Sequence, residues 1–238
     1  GMNIGATTVG GMINNVKTFA SVLMPGVQHM RHTHLPEHKF VKGQPETGVE
    51  MAEDLERIAM NFGGENIAAC IVEPIAGSTG TLVPPKGYLK RVREICNKHG
   101  ILLIFDEVIT GWGRTGSAFA AQEWNVTPDI MTMAKATTNG VVPMGVVAVK
   151  EEIYDSVLDA SSAPEGTPEL FHGYTYSGIP VAVAAALAVQ DIFDKEDIFK
   201  RAKEMSPYLQ DGLQSLKDLK EVVSIRGYGM MGGIEINM

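Results

Sequence analysis

Short apolar runs that end in breakers constrain the fold of this chain more than any other feature of its sequence. The runs "AACIVEP" and "ILLIFD" are too short for helices, and they are apolar throughout, as strands buried on both faces are. "DIMTMAK" and "MGVVAV" are two further runs of this kind. A helical pattern separates the first two runs, and it ends at Gly100. This alternation predicts an α/β fold, a three-layer α/β/α arrangement around a mostly parallel sheet.

Helical patterns also flank these strands. Before Gly100, apolar residues fall at helical spacing at Leu89, Val92, Ile95 and Cys96. An earlier apolar stripe consists of Met51, Leu55, Ile58 and Phe62. "PVAVAAALAVQDIF" is apolar almost all round, which predicts a deeply buried helix, and residues 222–236 are predicted to form two short strands. Polar stretches containing Pro or Gly, around 42–48 and 160–169, are candidate boundaries.

Composition excludes several classes of function. The chain has 238 residues, 45% of them hydrophobic, and a net charge of -8, so it offers no basic face for nucleic acid. No apolar run approaches the ~20 residues that span a bilayer, and no signal-peptide pattern is present. We therefore expect a cytoplasmic protein with neither a nucleic-acid nor a membrane partner. Cys70 and Cys96 lie in apolar segments without CxxC spacing, so we expect buried thiols and no disulfide or metal site.

Three predicted strands carry an ionisable residue at the carboxyl end, namely Glu73, Asp106 and Lys135. Open α/β sheets bind their ligands at this edge, so these side chains should converge on one crevice. A buried carboxylate requires a positive partner, and a buried lysine tends to become a nucleophilic amine. Pyridoxal 5'-phosphate would satisfy both, because its protonated ring nitrogen pairs with an aspartate and its aldehyde forms a Schiff base with a lysine.

Four segments carry a family resemblance. "IVEPIAGSTGTLVPPKGYL", "LLIFDEVITGWGRTG", "PDIMTMAKATTNGVVPMG" and "FHGYTYSGIPVA" resemble, in order and spacing, the signatures of the class III aminotransferases, a branch of the fold type I pyridoxal-phosphate enzymes. The resemblance extends from about Asn3 to the end of the chain. "AGSTG" and "HGYTYSG" are most similar to the ω-amino-acid:pyruvate aminotransferases. The resemblance implies transfer of an amino group from an ω-amino acid or amine to a keto acid such as pyruvate.

The resemblance also implies roles for individual residues. Asp106 would keep the pyridine nitrogen protonated, and Val108 would pack against one face of the ring. Lys135 would form the Schiff base and then carry the proton between substrate and cofactor. Thr175 would bind the cofactor phosphate of the neighbouring subunit, which implies a homodimer with shared active sites. Glu107 is expected to turn away into hydrogen bonds that hold the loop.

Two residues of the same region have open interpretations. Glu73 precedes a proline, and we favour a structural role in the turn over a catalytic one. Arg114 is either an ion-pair partner across the dimer or solvated.

Ser78 stands where many relatives that act on glutamate or ornithine carry a glutamate, which favours β-alanine-like or amine donors.

Two patterns imitate other sites. "GYGMMGG" matches GxGxxG, but it continues into "IEIN" and not into a helix, so a β-turn with a left-handed glycine is the better interpretation. The histidines His29, His32, His34 and His38 have no fixed period, and we predict no metal site.

The resemblance also predicts that the chain is truncated at both ends. We expect residues 1–220 to form the cofactor-binding large domain without its N-terminal part, and residues 221–238 to begin a small C-terminal domain. Two alternatives to the aminotransferase follow. One is a catalytically incomplete fragment of such an enzyme, and the other is a related pyridoxal-phosphate enzyme such as an aminomutase.

Overall fold

A computed structural model describes residues 3–162, 164, 170 and 172–237. Its strands are β1 (Ala69–Val72), β2 (Leu102–Asp106), β3 (Ile130–Met133), β4 (Val146–Val149), β5 (Val222–Tyr228) and β6 (Met231–Ile236). Its α-helices are α1 (Ile4–Val9), α2 (Ile13–Thr18), α3 (Glu53–Phe62), α4 (Tyr88–His99), α5 (Ala120–Glu123), α6 (Glu151–Ala160), α7 (Pro180–Lys195) and α8 (Ile198–Gln214).

The main sheet has the strand order β1-β2-β3-β4. Strand β1 pairs with β2 in parallel from Ala69 opposite Leu102, and β2 pairs with β3 in parallel from Ile104 opposite Ile130. The predicted α/β fold with a mostly parallel sheet is confirmed. Strand β4, however, is antiparallel to β3, because residues 134–145 contain only a short 3-10 turn and no crossover helix that could return the chain to the opposite edge.

Helices α3 and α4 cover one face of this sheet. The inward residues Leu103 and Phe105 of β2 are fully buried against them, and both cysteines lie in the same apolar cluster. Gly100 ends α4 in the left-handed conformation, with φ +70°, as the sequence predicts. Burial of Cys70 and Cys96 as free thiols is confirmed.

Helix α7 differs from its prediction of deep burial. Its buried residues, Ala182, Ala186 and Val189, form a single stripe that faces its neighbours, whereas Leu187 on the other side is 59% exposed. The prediction was wrong because an apolar composition does not supply a packing partner. On the sheet, Ile71 is likewise 40% exposed on the face opposite α4.

A partly buried ion-pair network fastens the sheet to α4. The carboxylate of Asp129, just before β3, accepts hydrogen bonds from the side chain of Arg93 (2.6 Å) and the backbone N–H of Leu103 (2.7 Å), and it pairs with Lys150 (2.7 Å). Burial alone would raise the pKa of Asp129, but these donors outweigh burial and lower it. No local pattern predicts this contact, because it joins residues 21 to 36 positions apart.

Strands β5 and β6 form the predicted hairpin. Gly229, with φ +59°, lies in the turn between them, so the interpretation of "GYGMMGG" as a β-turn is confirmed. Arg226 donates from Nε to the carbonyl oxygen of Gly80 (2.8 Å), which fastens the hairpin to the loop after β1. Of the two candidate boundaries, 160–169 falls largely outside the described residues. In the described part of the chain, no helix has the length and apolarity needed to cross a membrane.

Candidate active site

Lys135 follows β3 and begins the 3-10 turn Lys135–Thr137. Its backbone has φ +49°, a left-handed conformation that residues with a side chain adopt at a cost. Such strain persists only where the surrounding structure holds it, and it concentrates at functional sites. A left-handed backbone at this strand end therefore coincides with the residue that the sequence predicted to bind the cofactor.

Asp106 is the last residue of the neighbouring strand β2 and is half-buried. It stands opposite Thr132 of β3, three residues before Lys135, and its Oδ1 accepts a hydrogen bond from the backbone N–H of Val108 (3.1 Å). Parallel pairing thus brings the carboxylate and the amine to the same edge of the sheet, as expected.

A cavity of about 640 Å³ opens at this edge. Lys135 and Val108 both line it, together with Ser78, Arg114 and Met230. Asp106 and Thr175 are not among its lining residues. Thr175 lies in an exposed turn just before α7.

Glu107 points away from this cavity and is fully buried. Its carboxylate accepts hydrogen bonds from the hydroxyl of Thr110 (2.7 Å) and from the backbone N–H groups of Ala120 (2.9 Å) and Ala121 (2.8 Å) at the start of α5. Burial raises its pKa, and these hydrogen bonds oppose the rise. The expectation that Glu107 holds the loop is confirmed.

Glu73 has the geometry of a turn residue. Its carboxylate accepts a hydrogen bond from the backbone N–H of Gly77 (2.9 Å). Burial, and then the negative charge of Asp106, raise its pKa, while the Gly77 hydrogen bond and the positive charge of Lys135 oppose the rise. The charges of Asp106 and Lys135 therefore both act on Glu73. Its hydrogen bond with Gly77 has a structural role in the turn, which is the role that the sequence favoured.

Sequence reasoning missed two parts of the site. Met230 reaches the cavity wall from the hairpin turn, where its backbone N–H donates to the carbonyl oxygen of Arg114 (2.7 Å). Trp112 donates from its indole N–H to the hydroxyl of Thr137 (3.0 Å), two residues after Lys135. Neither contact follows a local period, so no sequence signal could have found them. Arg114 is exposed and has no carboxylate within ion-pair distance among the described residues, so an ion pair across a dimer and a solvated side chain both stay open.

The histidine-rich loop lies apart from these residues. His38 is buried, and its Nδ1 accepts a hydrogen bond from the backbone N–H of Leu35 (3.2 Å), which is a structural contact. Within the described ranges, no three His, Cys, Asp or Glu side chains are grouped so as to hold a metal ion.

The sequence profile of the family described as class-III aminotransferase matches residues 1–238. The chain belongs to this family. Class III aminotransferases depend on pyridoxal 5'-phosphate, so the cofactor predicted from the strand-end residues agrees with the family.

Relatives of known name place the chain within this family. It is 52% identical to an omega-aminotransferase of Caulobacter vibrioides and 47% identical to an omega-amino acid--pyruvate aminotransferase of Pseudomonas putida. These matches cover 99% of this chain and 53% and 52% of the two relatives. Among solved structures, the omega transaminase of Pseudomonas jessenii in complex with PMP matches with a TM-score of 0.89 and 34% identity, over 99% of this chain and 51% of that one. The chain thus spans about half the length of the relatives that it matches.

Proposed function

We propose that this chain is the cofactor-binding part of an aminotransferase that moves an amino group from an ω-amino acid or amine to a keto acid such as pyruvate. The observation that carries the proposal is the strained backbone of Lys135 (φ +49°) at a strand end beside Asp106, in the wall of a cavity. The names of the relatives support the choice of donor and acceptor.

The side chains at this edge fit pyridoxal 5'-phosphate by their chemistry. Asp106 offers a carboxylate for a protonated ring nitrogen, Val108 an apolar surface for one ring face, and Lys135 an exposed amine for the aldehyde. The bound cofactor supplies an electron-withdrawing ring next to the substrate carbon. With the cofactor bound, the Nζ of Lys135 would hold and return the proton of the substrate carbon.

Thr175 belongs to the proposal as a residue of the partner subunit's site in a homodimer. Its exposed position before α7 leaves it available to a second copy of the chain. The division into a large domain of residues 1–220 and a small domain that starts at 221, and the cytoplasmic location, likewise stay predictions.

The first test follows covalent labelling at Lys135. The protein is mixed with pyridoxal phosphate, its visible absorbance is recorded, and borohydride reduction is followed by peptide mapping. We expect a visible band and a label at Lys135, both lost in Lys135→Ala and retained in the control Lys217→Ala, which removes an exposed lysine of the surface. Label scattered over surface lysines would contradict the proposed site.

The second test measures turnover. We expect amino transfer to pyruvate from β-alanine or a primary amine to disappear in Lys135→Ala and to fall strongly in Asp106→Asn, because the ring nitrogen then loses its proton. An unchanged rate in Asp106→Asn would refute that role.

The half-length match favours a second candidate, a fragment that binds the cofactor but does not complete the reaction. Specific labelling of Lys135 without turnover would identify this case.

A further inference from the structure

Two residues with left-handed backbone lie at the two ends of one contact between loops: Trp112 makes the contact, and Lys135 begins the turn that receives it. Trp112 has φ +61° and Lys135 has φ +49°, and both carry large side chains that disfavour this conformation. The indole N–H of Trp112 donates to the hydroxyl of Thr137 over 3.0 Å. The loop after β2 therefore contacts the turn that begins at Lys135.

The hydroxyl of Thr137 connects the residues on either side of Lys135. Thr137 is only 3% exposed, and its Oγ1 accepts from Trp112 while it donates to the carbonyl oxygen of Ala134 (3.1 Å). The backbone N–H of Thr137 also donates to this carbonyl (3.1 Å). Ala134 precedes Lys135 directly, so these bonds close a ring around the lysine backbone.

The indole of Trp112 is itself held in place. Its ring packs against Phe119 at 5.1 Å and against Phe193 of α7 at 5.8 Å between ring centroids. Its backbone N–H donates to the carbonyl oxygen of Ala118 (2.6 Å). A donor fixed on several sides keeps its direction, which is what a support for a strained turn requires.

We propose that Trp112 and Thr137 are positioning residues that keep Lys135 in its left-handed conformation and thereby aim its amine into the cavity. The inference rests on the proposed function for its chemical consequence, because an aimed amine matters if Lys135 bonds the cofactor. Its structural half, the order of the 135–137 turn, holds independently of any cofactor.

The experiment uses three variants and one matched control. Trp112→Phe keeps an aromatic ring and removes the N–H donor, Thr137→Val removes the hydroxyl at nearly constant volume, and Thr137→Ser restores a hydroxyl. Trp124→Phe is the control, since Trp124 is the only other tryptophan of the chain and packs against Tyr228, away from Lys135.

Two readouts separate this inference from the proposed function. Amide hydrogen exchange of the peptide that covers residues 134–141 reports the order of the turn without cofactor. Borohydride trapping of pyridoxal phosphate at Lys135 reports the aim of the amine, and its rate is measured across pH. Loss of one buried hydrogen bond predicts exchange and trapping changes of about five- to tenfold.

We expect Trp112→Phe and Thr137→Val to speed exchange and to slow trapping at Lys135, whereas Thr137→Ser and Trp124→Phe match the wild type. Unchanged exchange in both of the first two variants overturns the inference. So does faster exchange with unchanged trapping, because the contact then orders the turn without aiming the amine. A wild type that never labels Lys135 contradicts the proposed function instead, and the exchange data still decide whether the contact holds the turn.

Discussion

The substitution Glu107→Ala tests how a buried carboxylate holds the loop beneath the site. Glu107 is 0% exposed and accepts hydrogen bonds from the hydroxyl of Thr110 and from the N–H groups of Ala120 and Ala121. At about 1 kcal/mol net for each lost bond, the variant should lose about 3 kcal/mol of unfolding free energy. For a chain of this length, about 3 kcal/mol corresponds to a fall of about 6–12 °C in Tm.

The assay is urea unfolding followed by circular dichroism and tryptophan fluorescence, with thermal unfolding as a second measure. Glu107→Gln should lie between the wild type and Glu107→Ala, because its amide oxygen still accepts but its NH₂ faces at least one backbone donor. Glu204→Ala, at an exposed position of α8, is the control and should change the free energy by less than about 0.5 kcal/mol. A loss below about 1 kcal/mol in Glu107→Ala would refute the accounting of three hydrogen bonds.

The pH dependence supplies a separate check. Burial raises the pKa of Glu107 above its ordinary value of 4.5, so the folded state binds more protons than the unfolded state. The part of the stability that depends on protonation of Glu107 is therefore complete below pH 4.5 and declines as the pH rises through the folded pKa. The difference in unfolding free energy between wild type and Glu107→Gln should shrink over this range. A difference that grows with pH would show that folding lowers the pKa of Glu107 and would contradict the prediction.

Two other substitutions test the frame around the site. Asp129→Asn removes the charge that Arg93 and Lys150 share and should cost about 1.5–3 kcal/mol in urea unfolding at pH 7. Because the folded pKa of Asp129 is lowered, its contribution is present above pH 3.8 and is lost as the pH falls, so equal costs at pH 7 and pH 3 would contradict the network. Gly229→Ala should lower the unfolding free energy by about 2–4 kcal/mol, because φ is +59° and a Cβ would overlap the carbonyl oxygen of Arg114. In the control Gly212→Ala, the added Cβ in α8 meets open space and should stabilise the protein by about 0.5–1 kcal/mol. Equal Tm values for these two variants would contradict the close approach at the hairpin turn.

Local patterns were sufficient for most of the elements and for the edge that carries the site. The run before Asp106 could only be a buried strand, and Gly100 ended α4 as its position predicted. Local patterns did not predict the direction of each strand or which elements pack against each other. Strand β4 is antiparallel to β3 because the segment between them contains no crossover helix. Helix α7 is exposed on one side, because an apolar composition does not determine which elements pack against a helix. The bond from Trp112 to Thr137 spans 25 positions and depends on two backbone angles that no periodicity encodes.

The adjacent carboxylates Asp106 and Glu107 show why the site and the fold can be tested separately. Successive residues at a strand end point to opposite sides, so the two groups cannot serve the same ligand. Glu107 satisfies three donors inside the protein, and its loss should reduce Lys135 labelling only as far as it unfolds the chain. Asp106 accepts one backbone hydrogen bond at the end of β2, and an asparagine can accept the same bond. Asp106→Asn should therefore leave the unfolding free energy nearly unchanged while it alters the spectrum of the bound cofactor, which is the signature of a group kept for chemistry.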